Sequence, residues 1–266
     1  MIQTSPTVSM SARDIRKTFH RSHGWFAPPS ETRALQGVSF DVQPGEIFGI
    51  VGESGCGKST LARVLVGLEE PDAGSLSLAG RDLFGPGVSS VPPVRRGIQM
   101  VFQDPYASLN PRMRIGEAIA EGLAIAGTAK SERDDRVAET LSLVGLSPDA
   151  SQKHPFQFSG GQRQRICIAR ALVMEPSFLV ADEAVSALDI SVQMQILNML
   201  LDLRDRIGLS IIFITHDISV VEYLCDTVMV MYGGQAVERG RTLEILDNPQ
   251  DSYTRSLISS VPRLNH

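Results

Sequence analysis

The sequence predicts an α/β body interrupted by an all-helical insertion, and three observations predict it. A short apolar strand, a glycine-rich loop and an amphipathic helix follow one another between residues 46 and 68. Helical periodicity then dominates from Pro105 to about Met174. Apolar runs of strand length return at residues 178–181, 210–214 and 227–232. A chain of 266 residues with 42% apolar and 21% charged content suits one large α/β domain or two small ones.

The elements follow in order. Residues 8–18 alternate weakly and read as a strand ending at Phe19, and Gly24, Pro28, Pro29 and Ser30 make residues 20–32 an exposed loop. Leu35, Val38, Phe40 and Val42 mark a second strand, and Pro44-Gly45 turns into the buried strand 46–51. Lys58 opens a helix reaching Leu68, with Leu61, Val64 and Leu65 on one side. Residues 71–74 turn into the alternating stretch 75–78, residues 86–93 are loop-like, and 98–102 form a strand followed at once by Gln103-Asp104-Pro105. In the insertion, helices span 115–126 and 132–144, the latter ended by Gly145. A third helix runs from near Ser159 to Met174 with Ile166, Ala169, Leu172 and Val173 inward. A long amphipathic helix over 192–207 separates the strands 178–181 and 210–214. A hairpin closes around Gly233-Gly234, and a short amphipathic helix follows Pro249.

Composition removes several classes of function. No apolar run approaches the ~20 residues of a membrane helix. The N-terminus lacks a basic flank followed by an apolar stretch, so no secretory signal is read. Three cysteines, Cys56, Cys167 and Cys225, stand far apart, which points to a reducing compartment and away from a zinc or iron–sulfur site. A net charge of −5 argues against a general nucleic-acid-binding face. The chain reads as cytosolic.

Gly52-Glu53-Ser54-Gly55-Cys56-Gly57-Lys58-Ser59 fits G-x-x-x-x-G-K-[ST] without a mismatch, between a strand and a helix. Glycines let successive backbone N–H groups turn inward on phosphate oxygens, and the helix N-terminus adds partial positive charge. Lys58 is placed for the β- and γ-phosphates and Ser59 for Mg²⁺. The sequence therefore predicts binding of a nucleoside triphosphate. Farther along, an apolar strand ends in Asp182-Glu183. Asp182 suits a Mg²⁺ contact, and Glu183 can orient or deprotonate an attacking water. Ser159-Gly160-Gly161-Gln162 precedes a helix carrying Arg163, Arg165 and Arg170, an anion-ready N-terminus with Ser159 as its cap.

Phe158-Ser159-Gly160-Gly161-Gln162 resembles the signature motif of ATP-binding cassette (ABC) ATPases, usually Leu-Ser-Gly-Gly-Gln. Other family elements follow the same resemblance: Gln103 matches the Q-loop glutamine, Ser186-Ala187-Leu188-Asp189 the D-loop, and His216 the switch histidine. The resemblance covers essentially residues 8–238. It implies a P-loop NTPase of ABC type, with a RecA-like α/β core, an antiparallel β subdomain and a helical insertion subdomain. On that reading the chain is a single domain, its core at about 8–103 and 175–240, its insertion at about 104–174 and its tail at about 241–266.

The resemblance also implies a mechanism. Such ATPases close head to tail around two ATP molecules. Gly52, Glu53, Ser54, Gly55, Cys56, Gly57, Lys58, Ser59 and Thr60 would hold one ATP, and Ser159, Gly160, Gly161 and Gln162 would cap the γ-phosphate held by the partner. Ser59, Gln103 and Asp182 are the implied Mg²⁺ contacts. Glu183 is the implied base, with His216 at the γ-phosphate, Gln103 linking the site to the insertion, and Asp189 coupling the two sites. Phe19 is the candidate for stacking on adenine, with Trp25 or Phe26 as alternatives. Two departures stand out: Phe158 in place of leucine, and Ala184 where proline usually follows Asp-Glu, which removes a φ restraint after Glu183.

Gln103 to Met113 resembles the segment after the Q-loop in ATPases serving oligopeptide, dipeptide and nickel importers, and residues 248–257 resemble the tail of that subfamily. The implied function is the ATP-hydrolysing subunit of a multi-subunit importer of peptides or a related small solute, nickel or other metal chelates included. The implied partners are two transmembrane permease subunits, a second ABC ATPase subunit (identical or not), and indirectly an extracytoplasmic substrate-binding protein; no nucleic acid is implied. The implied location is the cytoplasmic face of the inner cell membrane, as a peripheral protein. A permease helix would dock near residues 103–114, around Tyr106 and Leu109. The competing readings are a soluble ABC ATPase acting on nucleic acid or the ribosome, and a silent regulatory subunit; intact Lys58, Asp182, Glu183 and His216 argue against the latter.

Overall fold

The computed structural model describes residues 8–21, 30–87 and 97–260. The chain forms two compact units, a central one at Gly97–Ile212 and a flanking one made of Val8–Arg96 and Phe213–His266.

The first part of the flanking unit contains β1 (Met10–Arg21), β2 (Ser30–Val42), β3 (Ile47–Val51), helix α1 (Lys58–Val66), β4 (Ala73–Leu78) and β5 (Arg81–Phe84). Four of these strands make an antiparallel sheet in the order β2-β1-β4-β5. Alternation places Met10, Ala12, Val38, Phe40 and Val42 in the core. The Phe40 ring stacks on Phe48 of β3 with centroids 5.2 Å apart. Helix α1 stops at Gly67, whose left-handed backbone (φ 82°) lets its N–H turn back onto the Val64 carbonyl. That ends the helix two residues before Leu68, the end the side-chain spacing predicts.

One loop expectation is corrected. Phe19, His20 and Arg21 pair with Thr32, Glu31 and Ser30, so β1 and β2 continue into both ends of the segment read as exposed loop. A ladder of backbone hydrogen bonds needs no alternation of side chains, and polar strand ends leave none to read. Residues 22–29, with Trp25 and Phe26, lie outside the described residues, as do residues 88–93 of the second predicted loop.

The central unit contains β6 (Ile98–Val101), the short α2 (Pro105–Ser108), α3 (Ile115–Ile125), α4 (Lys130–Leu143), α5 (Gly160–Leu172), β7 (Phe178–Asp182) and α6 (Ile190–Ile207). β6 and β7 run parallel, from Ile98 opposite Phe178 to Val101 opposite Ala181. All five residues of β7 are buried, as a parallel strand covered on both faces requires. Ile115, Ile119 and Leu123 of α3, Leu141 of α4 and Ile166 of α5 are all buried where these three helices pack together. α2 escapes a reading by periodicity because four residues hold barely one turn. Its signal is chemical: Asp104 caps it by accepting the Tyr106 N–H at 2.7 Å, and Pro105 fills the first helical position.

β8 (Ser210–Thr215) carries the division between the units. The flanking unit continues with α7 (Ile218–Leu224), β9 (Thr227–Tyr232), β10 (Gln235–Arg241), α8 (Thr242–Asp247) and α9 (Ser252–Ser259). β9 lies parallel to β3, with Phe48 opposite Thr227 and Val51 opposite Val230, and forms the predicted hairpin with β10. The Ile47 N–H donates to the Asp226 carboxylate at 2.8 Å, which fixes where β3 starts. Helices α7 and α8 are further short elements that periodicity does not reveal.

Phe48 is fully buried against Phe40. Phe48→Ala is expected to cost about 3–5 kcal/mol, read as a lower urea midpoint. A loss below about 1 kcal/mol would mean that the ring is not a core element.

Candidate functional site

The sequence-predicted residues divide between the units. The flanking unit holds Phe19, the loop from Gly52 to Thr60, and His216; the central unit holds Gln103, Ser159 to Gln162, Asp182, Glu183 and Asp189.

In the flanking unit, β3 ends at Val51 and the chain turns through the glycine loop into α1. Two glycines are demanded by close approach. A Cβ at Gly52 would lie 2.2 Å from the Met231 carbonyl oxygen, and one at Gly57 would lie 2.3 Å from the Ala34 carbonyl oxygen. Gly57 also takes φ 107° at the N-cap of α1. The Gly234 N–H donates to the Cys56 carbonyl at 3.0 Å, tying the loop to the β9–β10 turn. The Lys58 side chain folds back under the loop, only 4% exposed, and donates to the Gly52 and Glu53 carbonyls at 2.6 and 2.8 Å. These acceptors are neutral, so the buried ammonium favours an anion at this loop. Glycine backbone, a helix N-terminus and a buried cation together fit a polyphosphate.

His216 is exposed immediately after β8, where the chain enters α7. Asp217 is tied on both sides, its N–H to the Thr215 hydroxyl at 3.0 Å and its carboxylate to the Ser219 N–H at 2.8 Å. That cap holds the backbone next to His216. Phe19 lies on β1, 40% exposed, with the Lys17 ammonium 5.3 Å from its ring centroid.

In the central unit, two predicted residues meet directly: the Gln103 side-chain amide donates to the Glu183 carboxylate at 2.8 Å. Asp182, the last residue of β7, is buried, and Glu183 is the next residue along the chain. Glu183 has a left-handed backbone, φ 48°, which redirects the chain at the strand end. Its carbonyl accepts both the N–H and the hydroxyl of Ser186, at 3.1 and 3.0 Å.

Ser159 to Gln162 form a capping box. The Ser159 hydroxyl accepts the Gln162 N–H at 3.3 Å, and the Gln162 side chain accepts the Ser159 N–H at 3.0 Å. A Cβ at Gly161 would come within 2.3 Å of a Val192 methyl, so a small residue is needed there. Phe158 is buried, and its bulk is absorbed inside the unit. Asp189 caps α6, accepting the Val192 N–H at 3.0 Å and the Ser191 hydroxyl at 2.8 Å; these bonds, the Val192 one above all, hold its carboxyl below the ordinary carboxylate range.

Two positions differ from what sequence reasoning expects. Leu109 is buried, so of the two residues named for docking only Tyr106 is a surface group. Tyr106 is 64% exposed, with the Arg163 guanidinium 4.1 Å above its ring. Leucine in a run of loop residues gives no sign of which side it faces. Sequence reasoning also misses Tyr253 of α9, whose hydroxyl accepts the Glu53 N–H at 3.0 Å. A partner 200 positions away leaves no local signal.

The profile of the ABC transporter family matches residues 35–186. The chain is 46% identical over 257 residues to the di/tripeptide transport ATP-binding protein DppF of Pseudomonas aeruginosa, spanning 96% of this chain and 80% of that protein. It is 47% identical over 260 residues to the oligopeptide transport ATP-binding protein OppF of Salmonella typhimurium, spanning 96% and 78%. Among solved structures, cbiO1 of Clostridium perfringens, part of the cbiONQ transporter complex, superposes with a TM-score of 0.77 at 28% identity, covering 91% of this chain and 92% of that one. The cassette MJ0796, in a dimeric post-hydrolysis state bound to ADP and phosphate, gives a TM-score of 0.74 at 26% identity, covering 88% and 98%.

Gly52→Ala puts a methyl group against backbone rather than against a flexible side chain, so the loop or β9 must move. The variant is expected to lose at least tenfold in affinity for a polyphosphate such as pyrophosphate, measured by calorimetry, because misaligned N–H groups no longer converge. Wild-type affinity in this variant would show that the approach to Met231 does not set the loop.

Proposed function

From the premise that the chain belongs to the ABC transporter family, whose activity is ATP hydrolysis, we propose that it is the ATP-hydrolysing subunit of a multi-subunit importer of peptides or a related small solute. The observation that carries this reading is likeness to peptide-transport ATP-binding proteins along nearly the whole chain. Among the described residues no helix is long and apolar enough to cross a membrane, so two separate permease subunits would supply the pathway. A second ABC ATPase subunit would complete the closed pair, and a substrate-binding protein outside the membrane would deliver cargo to the permeases. The chain would then work as a peripheral protein on the cytoplasmic face of the membrane.

Each residue has a role that its chemistry suits. The loop from Gly52 to Thr60 would bind ATP phosphates through backbone N–H groups, and Lys58 would leave the loop carbonyls for the phosphate oxygens. Phe19 would stack on adenine. Ser59, Gln103 and Asp182 would hold Mg²⁺, an ion that takes few protein oxygens and shares itself with substrate phosphates. When bound, it would neutralise charge on the phosphate oxygens.

Glu183 would orient the attacking water or accept its proton, and the Gln103 amide holds that carboxylate in place meanwhile. His216 would contact the γ-phosphate and fix the water's approach. Ser159, Gly160, Gly161 and Gln162 would offer the N-terminus of α5 to the γ-phosphate held by the partner ATPase. Asp189, whose carboxylate is committed to capping α6, would couple the two sites by setting where that helix begins. Tyr106 would meet a cytoplasmic helix of a permease.

Glu183→Gln is expected to lower ATP turnover by at least a hundredfold and to trap an ATP-bound dimer visible by light scattering. Turnover at the wild-type rate would remove Glu183 from the role of base. Purified with ATP from solubilised native membranes, the same variant should bring down two polytopic permeases. Recovery from the soluble fraction with ribosomal or nucleic-acid partners would favour the soluble-machine alternative. Tyr106→Ala is expected to reduce transport in reconstituted vesicles while basal ATPase stays within about twofold, because an exposed side chain contributes little to the fold. Equal loss of both activities would count against docking at Tyr106.

A further inference from the structure

We propose that Tyr253 of the tail helix α9 is a positioning residue of the phosphate loop, fixing the Gly52–Glu53 peptide in the orientation that receives nucleotide phosphate. The inference rests on the ATP-binding reading above and goes beyond it by assigning the tail a part in the site.

The geometry is that of one rigid peptide plane held at both ends. The Glu53 N–H donates to the Tyr253 hydroxyl at 3.0 Å, and the carbonyl of that same peptide, Gly52 O, accepts the Lys58 ammonium at 2.6 Å. Because a peptide is planar, its N–H and C=O turn together. Whatever holds the N–H therefore also sets where the carbonyl meets Lys58. The Glu53 carbonyl takes a second bond from Lys58 at 2.8 Å, so the tyrosine is two hydrogen bonds from the loop's cation.

The hydroxyl is itself placed by a chain of fixed contacts. The Tyr253 ring lies against Tyr232, the last residue of β9, with centroids 4.3 Å apart. Asp251 caps α9 by accepting the N–H groups of Tyr253 and Thr254, at 2.8 and 3.3 Å. The turn before it is clamped by Glu238 of β10, which accepts the N–H groups of Gln250 and Asp251 at 2.7 and 3.1 Å. Burial alone would raise the Glu238 carboxyl, but these N–H groups, Gln250 first, pull it below its usual range and keep the clamp charged.

Burial pushes the Tyr253 phenol up, so at neutral pH the group beside the loop is an uncharged hydroxyl. It accepts a hydrogen bond without repelling phosphate. A loop that binds anions through backbone N–H groups gains affinity when those groups are oriented before the ligand arrives.

Tyr253→Phe in the full chain removes one oxygen and keeps the ring against Tyr232. With fluorescent N-methylanthraniloyl-ATP as probe, Kd is expected to rise about two- to tenfold, the worth of one net hydrogen bond. KM for ATP should rise by the same factor with kcat unchanged, and the Glu53 amide should exchange faster without nucleotide. Asp251→Ala unties α9 without touching the loop and should shift Kd in the same direction. Unchanged Kd and KM in Tyr253→Phe would overturn the proposal, as would a fall in kcat and thermal midpoint with KM constant. A wild-type chain that fails to bind the probe would overturn the ATP-binding reading itself, before any variant is made.

Discussion

A buried ammonium must be surrounded by acceptors, and Lys58 finds them by forcing the chain to fold around it. The carbonyls of Gly52 and Glu53 accept from the cation, and the N–H of the peptide between them is held by Tyr253. The bend this requires brings the backbone so near β9 and β2 that neither Gly52 nor Gly57 has room for a side chain. Both neighbours are themselves fixed, β9 by its parallel ladder to β3 and β2 by its long pairing with β1. The electrostatic need of one side chain thus reaches outward through backbone contacts to two sheets. It also explains why the loop suits a polyphosphate: a cation solvated by neutral acceptors gains from exchanging them for charged ones.

Around this loop and in the central unit, one local device recurs. Asp104, Ser159, Asp189, Asp217 and Asp251 each close a helix N-terminus with their own side chain. A cap fixes a backbone entry angle within a few residues and without long-range packing. It also puts the free helix end at a defined place, as an anion-binding end needs. In α5 the capping box satisfies the N–H groups of Ser159 and Gln162, which leaves those of the glycines between them as the natural donors to a ligand.

Local chemistry was legible in the sequence wherever a residue type answers a local constraint. The glycine loop, the Ser159 cap, the apolar β7 and the Gly233-Gly234 hairpin all follow from near neighbours. What escaped reading depends on contacts distant along the chain or on backbone alone. At the outer ends of β1 and β2 only the backbone pairing makes strands. α2, α7 and α8 are too short for a period to show, although Asp104-Pro105 and Asp217 are readable caps. Leu109 is buried by tertiary packing that a loop sequence does not announce. Tyr253 reads from sequence as part of an amphipathic tail, and its partner is a backbone N–H, which has no sequence identity to recognise.

The carboxylate pair at the end of β7 shows how a departure from a family pattern can be reconciled with the geometry. Proline at position 184 would press the preceding residue toward extended backbone. Here Ala184 occupies the position, and Glu183 sits in the left-handed region at φ 48°, a conformation that costs a non-glycine residue on the order of 1–3 kcal/mol. Something must hold it, and the contacts are visible. Ser186 binds the Glu183 carbonyl twice, Gln103 binds its carboxylate, and Ala184 is itself buried. The left-handed turn at Glu183 is therefore held from outside, by two side chains and by packing. One of those side chains, Gln103, stands at the end of β6, so the position of the carboxylate depends on where that strand ends. Movement of the segment from Gln103 to Tyr106 would then be felt at Glu183 through a single hydrogen bond.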